Sequence, residues 1–356
     1  MRILAYTEST LNEAVLWYNI GVNQNRLLSE GGIKPMKPYY VKDLVVDEGH
    51  IIEDHYLVKT SDIRDGNQGK RHLYLILSDA TGEIQGVKWT LSPDEVSTFM
   101  RIKPGMIIGV VGKCKEFRGS KQLILDEITG QLKPENIERE DYFKSAPEDS
   151  EKMYEYIVGK IQGFQDEELK KLCLSFYEEN KERLMYYPAA MSNHHAEYGG
   201  LLYHVKRMMM MGERACEVYT NLNKDLLLAG VAIHDIEKLN ELDSDENGVV
   251  PEYTLEGKML GHLVMGAVVI KKRCDELGIS DEKALLLEHM SITHHYEPEF
   301  GSPKKPLFPE AEMLHYLDMV DAKMFDMEDA LLNIQPGEFS DKVFTLDNRK
   351  LYKKTF

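Results

Sequence analysis

The sequence predicts a multidomain α and β chain, in which a five-stranded β-barrel is followed by an all-α domain. Three observations carry that expectation. From about residue 40 to 130 apolar residues alternate with a period of two, and from 150 to 335 they recur at three- and four-residue steps. Between the two patterns lies QLKPENIEREDYFKSAPEDS (131–150), a polar, turn-rich stretch that reads as a boundary.

Taken in order, the first 35 residues read as a short helical extension, with Leu11, Ala14, Val15 and Tyr18 on one side, ending in the Gly- and Pro-rich linker GGIKPMKP. A β module over 36–135 follows. HYLVKTSDIRD (55–65), a turn at GNQGK, HLYLILSDAT (72–81) and GEIQGVKWT (82–90) supply three strands. SPDEVSTFMR (92–101) has a Ser cap, a Pro at the first helical position and acidic residues in its first turn, so it reads as a helix. MIIGVVGKCKEFRG (106–119) and KQLILDEITG (121–130) complete the set. Three strands, a helix and two strands is the element order of an OB-fold, a barrel that commonly binds oligonucleotides. Its candidate binding residues are Tyr74, Lys88, Trp89, Phe117 and Arg118, since aromatic rings stack on bases and cations pair with phosphates.

The helical domain is expected over 145–335, with MYEYIVGKIQGF, EELKKLCLSFYEENKERL, GLLYHVKRMMMMGERACEVY and DLLLAGVAIHDIEKL each fitting a helix. Met208 to Met211 are expected to fill a core or an oligomer interface. Residues 336–356 form a tail without a clear core face.

Charge and composition narrow the function. A net charge of −17 disfavours nucleic acid as a partner in general, but residues 36–132 carry 13 Lys and Arg against 14 Asp and Glu, so the barrel is spared. No run of 18 apolar residues suggests a membrane span, and the N-terminus lacks the features of a secretory signal. The four cysteines, Cys114, Cys173, Cys216 and Cys274, form no CxxC pair, which fits free thiols in a reducing cytoplasm.

The chemistry is expected in the helical domain. His204 follows a double glycine. His234 and Asp235 end an apolar run, Leu228 to Ile233, where an uncompensated charge is costly. His262 lies in MLGHLVMG, His294 and His295 in SITHHYEPEFGSP, and His315, Asp318 and Asp321 fall at three-residue steps in LHYLDMVDAKM. A lone histidine is usually a hydrogen-bonded core residue, but His204, His234, His262, His294 and His295 with Asp235 and Asp318, at apolar helix sites, call for a shared ligand. A divalent cation supplies one.

These residues resemble the H…HD…D signature of the HD phosphohydrolase superfamily. GGLLYH, HDIEK, MLGH, THH with GSPKKP, and LHYLDMVDAKM together resemble the YhaM-like 3′–5′ exoribonucleases, which carry an OB-fold ahead of an HD domain. The resemblance covers roughly residues 36–330 and implies a metal-dependent 3′–5′ exonuclease acting on single-stranded RNA or DNA. It implies that His204, His234, Asp235 and Asp318 hold a first ion and that His262, His294 and His295 supply a second, with Asp235 between them. It favours Mn2+, with Fe2+, Co2+, Zn2+ or Mg2+ as alternatives, and places Lys238 against the scissile phosphate. His194 and His195 line the approach or lie at the surface. The family's HDIGK reads HDIEK here, and Glu237 either packs away from the site or reaches into it. Two other readings stay open, an HD-type nucleotide or cyclic-dinucleotide phosphohydrolase and a non-catalytic single-strand-binding protein with a decayed HD domain. A homo-oligomer is compatible with all three.

Overall fold

A computed structural model describes residues 37–47, 49–66, 70–117, 120–132, 138–191, 194–332 and 334–356. The helical extension expected before residue 36 and the candidate Arg118 lie outside them. The chain divides into two compact units, Met1–Lys144 and Ser145–Phe356.

The first unit is a closed barrel in the order β1-β2-β3-β5-β4, with β1 Ile52–Asp65, β2 Arg71–Asp79, β3 Gly82–Lys88, β4 Ile107–Phe117 and β5 Ser120–Gln131. The expected OB-fold is present. Closure depends on β1, whose 14 residues pair antiparallel with β4 through their first half and with β2 through their second. A bulge between Val58 and Thr60 bends it. β3 and β5 pair in parallel, from Gln85–Gln122 to Val87–Ile124. Inward residues Tyr56, Val58, Leu73, Leu75, Leu77, Val110 and Leu123 fill the interior. The helix Pro93–Phe99 starts with the expected capping box, Ser92 with Glu95, and delivers Phe99 to the same core.

A buried ion pair ties Lys37 to β1. Lys37 Nζ stands 3.0 Å from Asp54 Oδ2 and 3.8 Å from the centre of the Tyr56 ring, and Tyr39 N–H donates to the same carboxylate oxygen at 2.9 Å. Burial lowers the Lys37 pKa against the pull of Asp54. Asp54→Ala would leave that ammonium buried without its closest counter-charge, which costs roughly 3–5 kcal/mol. Urea denaturation of the full chain is expected to show a barrel transition weakened by about that much, and a loss below about 1 kcal/mol would contradict the assignment.

The second unit is helical. Its core joins helices Ser150–Gln162, Glu167–Glu179, Gly200–Val218, Lys224–Ile233, Leu255–Leu277, Asp281–Thr293 and Pro309–Leu331. Asp149, Asp166, Asn223 and Thr254 cap four of them through side-chain oxygens. Met208 and Met209 lie in this core, whereas Met210 is half exposed. No helix of the described residues is long and apolar enough to cross a membrane.

Two departures from the sequence reading matter. The helix carrying the apolar run stops at Ile233, and a tight turn over 234–237 leads to the short helix Lys238–Glu241. The C-terminal segment, expected as a tail without a clear core face, is a hairpin of β6 Phe339–Val343 and β7 Arg349–Tyr352 that buries Leu346 and Ser340. Its turn uses Asp347 and Asn348, both at positive φ, residue types that tolerate that conformation. Lys353 donates to the carbonyls of Leu331 and Leu332, tying the hairpin to the end of the last long helix.

Candidate metal centre

The turn after Ile233 builds the site. Because the helix ends there, His234 and Asp235 project from its C-terminus rather than from a continuous face, and both are buried. Asp235 becomes the hub. Its Oδ2 lies 3.3 Å from His234 Nε2 and 3.9 Å from His204 Nε2, and its Oδ1 lies 3.3 Å from His262 Nε2 and 3.6 Å from His294 Nε2. Asp318, from helix Pro309–Leu331, reaches within 3.4 Å of His204 Nε2. Histidines from three other segments, His204, His262 and His294, therefore converge with His234 on one buried carboxylate.

Each histidine is aimed by a bond on its far nitrogen. His234 Nδ1 donates to the Val231 carbonyl at 3.0 Å, His294 Nδ1 to the Ser291 carbonyl at 2.8 Å and His295 Nδ1 to the Phe300 carbonyl at 2.9 Å. His262 Nδ1 donates to Glu241 Oε2 at 2.8 Å and His204 Nδ1 to Asp321 Oδ2 at 2.8 Å. Carbonyls and carboxylates only accept, so the proton sits on Nδ1 and Nε2 is turned inward, with a free lone pair in every ring but His204, whose Nε2 faces Asp318. His262 owes its place to a break in its helix at Gly261, whose φ of 71° suits glycine. The freed His262 N–H donates to Glu241 Oε1 at 3.0 Å.

The electrostatics follow from this crowding. Burial pulls the Asp235 pKa up, but Lys238 and His234 overcome it and hold the carboxyl well below its ordinary range. Burial likewise opposes, and His204 enforces, ionisation of Asp318. His294 is pushed down to about 3 by burial and by His295 beside it, which leaves a neutral imidazole. His204, although buried, is raised to about 10 between Asp318 and Asp321. A cation taken at its Nε2 displaces a proton. Lys238 Nζ rests 2.8 Å from Asp235 Oδ2.

The donor set fits a divalent metal. His234 Nε2, His262 Nε2, His294 Nε2 and Asp235 Oδ1 are buried and have no hydrogen-bond partner. Such groups are costly to bury unmatched. Two ligands each about 2.1 Å from an ion stand about 3.0–3.4 Å apart, close to the spacings around Asp235. Two ligand groups can be distinguished, His204 with His234 and Asp235, and His262 with His294 and His295.

Other expected residues fall elsewhere. Glu237 turns away, its carboxylate accepting from Asn240 Nδ2 at 3.0 and 3.1 Å. His315 donates to the His294 carbonyl. His195 is buried against Phe325 and bonds Asp321, whereas His194 is partly exposed with its ring 6.4 Å from that of His204. Sequence reasoning passed over Glu241, which no local pattern in KLNELD sets apart, and gave no role to Asp321, although its step of three from Asp318 was visible.

On the barrel, Tyr74 and Trp89 share an outer face. Tyr74 stacks with the Arg64 guanidinium at 3.5 Å, and the Trp89 and His72 rings are 5.0 Å apart. Phe117 is half exposed at the end of β4. Lys88 is placed differently. It pairs with inward-facing Leu73, the opposite parity from Tyr74, and its ammonium donates to the Asp126 carbonyl at 2.6 Å beside Glu95.

Comparison with known proteins adds an independent line. Residues 58–129 match the family described as OB-fold nucleic acid binding domain, and residues 201–323 match the HD domain. The chain is 40% identical to the 3′-5′ exoribonuclease YhaM of Oceanobacillus iheyensis, over 86% of this chain and 95% of that one. It is 37% identical to the protein of the same name from Halalkalibacterium halodurans, over 86% and 94%, and 36% identical to that of Bacillus subtilis, over 86% and 96%.

Proposed function

This chain belongs to the YhaM family of 3′–5′ exoribonucleases and is a metal-dependent 3′–5′ exonuclease, and from that premise we propose that it shortens single-stranded RNA with two divalent ions, Mn2+ favoured, held around Asp235. The reading rests on four buried, unpartnered donor atoms, one oxygen of that carboxylate and the three imidazole nitrogens around it. His204, His234, Asp235 and Asp318 would hold the first ion and His262, His294 and His295 the second, with Asp235 shared. Ions bound there supply Lewis-acid polarisation of phosphoryl oxygens and lower the pKa of water.

The protein's own groups do the rest. The backbone and carboxylate acceptors behind the five rings hold Nε2 inward before substrate arrives, so little reorganisation accompanies reaction. The Lys238 ammonium, already beside Asp235, offsets negative charge that builds on the phosphate. Glu237, occupied by Asn240, leaves the chemistry of the site unchanged. Residues 36–135 serve as the single-strand-binding module and 145–335 as the hydrolytic one. The free cysteines are consistent with a cytoplasmic enzyme.

End-labelled single-stranded RNA incubated with the Mn2+-loaded full chain tests this. Stepwise loss from the 3′ end is expected, and an undiminished oligomer with Mn2+, Co2+ and Mg2+ would overturn the reading. DNA run beside RNA settles the preference. The barrel's part is separable. Trp89→Ala removes one stacking surface, worth roughly 1–3 kcal/mol per base. KM for a long oligomer is expected to rise about tenfold or more with kcat and dinucleotide hydrolysis unchanged. Equal losses on long and short substrates would favour a mononucleotide hydrolase.

A further inference from the structure

We infer that two carboxylates outside the ligand groups, Asp321 and Glu241, are positioning residues that set the metal affinity of one ion position each. The inference rests on the two-ion reading above. Of the five histidines in the two groups, three lean on backbone carbonyls, while His204 leans on Asp321 and His262 on Glu241. The two carboxylate-backed rings fall in different groups, one to each.

A carboxylate acceptor draws the Nδ1 proton more strongly than a carbonyl and makes Nε2 the better donor, besides fixing the ring. Each carboxylate is itself anchored. Glu241 grips His262 twice, at the ring and at the backbone N–H freed by the break at Gly261. Behind it, the Glu241 carbonyl would lie 2.4 Å from any Cβ at position 257, so glycine there lets the two segments approach. Asp321 Oδ2 receives both His204 Nδ1 at 2.8 Å and His195 Nε2 at 2.7 Å, while its Oδ1 lies 2.6 Å from Arg207 Nε. The trio His195, His204 and Asp321 could pass for a third metal site. It is better described as closed on itself, because both rings direct nitrogens at a single oxygen over hydrogen-bond distances. The two carboxylates come from separate segments, helix Pro309–Leu331 and the short helix Lys238–Glu241, so their effects are independent.

The test titrates Mn2+ into chelator-stripped full chain, reading bound ions per chain and the electron paramagnetic resonance spectrum. Wild type is expected to bind two ions with a spin-coupled spectrum. Glu241→Gln should keep one and bind the other about 10–100-fold more weakly, giving the spectrum of an isolated Mn2+. Asp321→Asn should weaken one ion by a similar factor, and the double variant both. Raising free Mn2+ should restore hydrolysis in each single variant, which a general folding defect would not allow. Should Glu241→Gln prove insoluble, Glu241→Asp, which keeps the charge and shortens the reach, serves in its place. Two ions at unchanged affinity in the single variants would overturn the inference alone. Loss of both ions from one substitution would overturn the independence of the positions. A wild type that binds no Mn2+ would overturn the two-ion reading itself.

Discussion

Asp235→Asn is expected to lower turnover of single-stranded RNA by at least about four orders of magnitude, roughly 5.5 kcal/mol of transition-state stabilisation, while the helical content stays as in the wild type. The size follows from position. Among the candidate ligands Asp235 alone faces both groups, with Oδ2 toward His234 and His204 and Oδ1 toward His262 and His294. An amide keeps the shape and can still accept from Lys238, but it removes the formal charge that two cations would share. Asp318→Asn touches only the group containing His204 and should cost less. Single-turnover rates with saturating Mn2+, read beside circular dichroism and metal content, check this. A variant within about tenfold of wild type that keeps both ions would show that Asp235 is not the shared ligand.

The legibility of this site in the sequence was uneven for physical reasons. Asp235 stood out because a charged residue closing six apolar or glycine positions is anomalous wherever it occurs. The histidines were readable only together, since any one of them is an ordinary core residue. Glu241 carried no local signal. It sits within KLNELD, and its role exists only because Gly261 breaks a helix 20 residues later and turns a backbone N–H back toward it. The continuous helix expected through HDIEK was wrong in shape, yet Lys238 still meets Asp235, because the tight turn after Ile233 also brings residues three apart together.

The barrel shows the same division. Alternation and turn residues gave its strands and its helix, but not the register that fixes which face each residue takes. Lys88 and Trp89 are neighbours in sequence, and the pairing of Tyr74 with Val87 puts them on opposite faces. The C-terminal hairpin was missed because it buries little beyond Leu346 and Ser340, too few residues to print a period.

Metal addition is expected to have the largest effect on stability. Four buried donor atoms at the Asp235 site lack hydrogen-bond partners, and an ion that matches them binds the folded unit and not the unfolded one. At a free Mn2+ concentration about 1,000 times Kd, one such site contributes about 4 kcal/mol. A domain of 150–250 residues gains roughly 2–4 °C per kcal/mol, and the helical unit, Ser145–Phe356, is of that size. Its thermal midpoint should therefore rise by roughly 8–16 °C for the tighter ion and fall back on chelation. The barrel should not respond, since among the described residues every candidate ligand group lies in the helical unit. Asp318→Ala separates the positions, removing the stabilisation due to the first ion while His262, His294 and His295 keep theirs. A midpoint that ignores Mn2+ would mean the unpartnered nitrogens are matched by something other than a cation, and the chemistry built on Asp235 would fall with it.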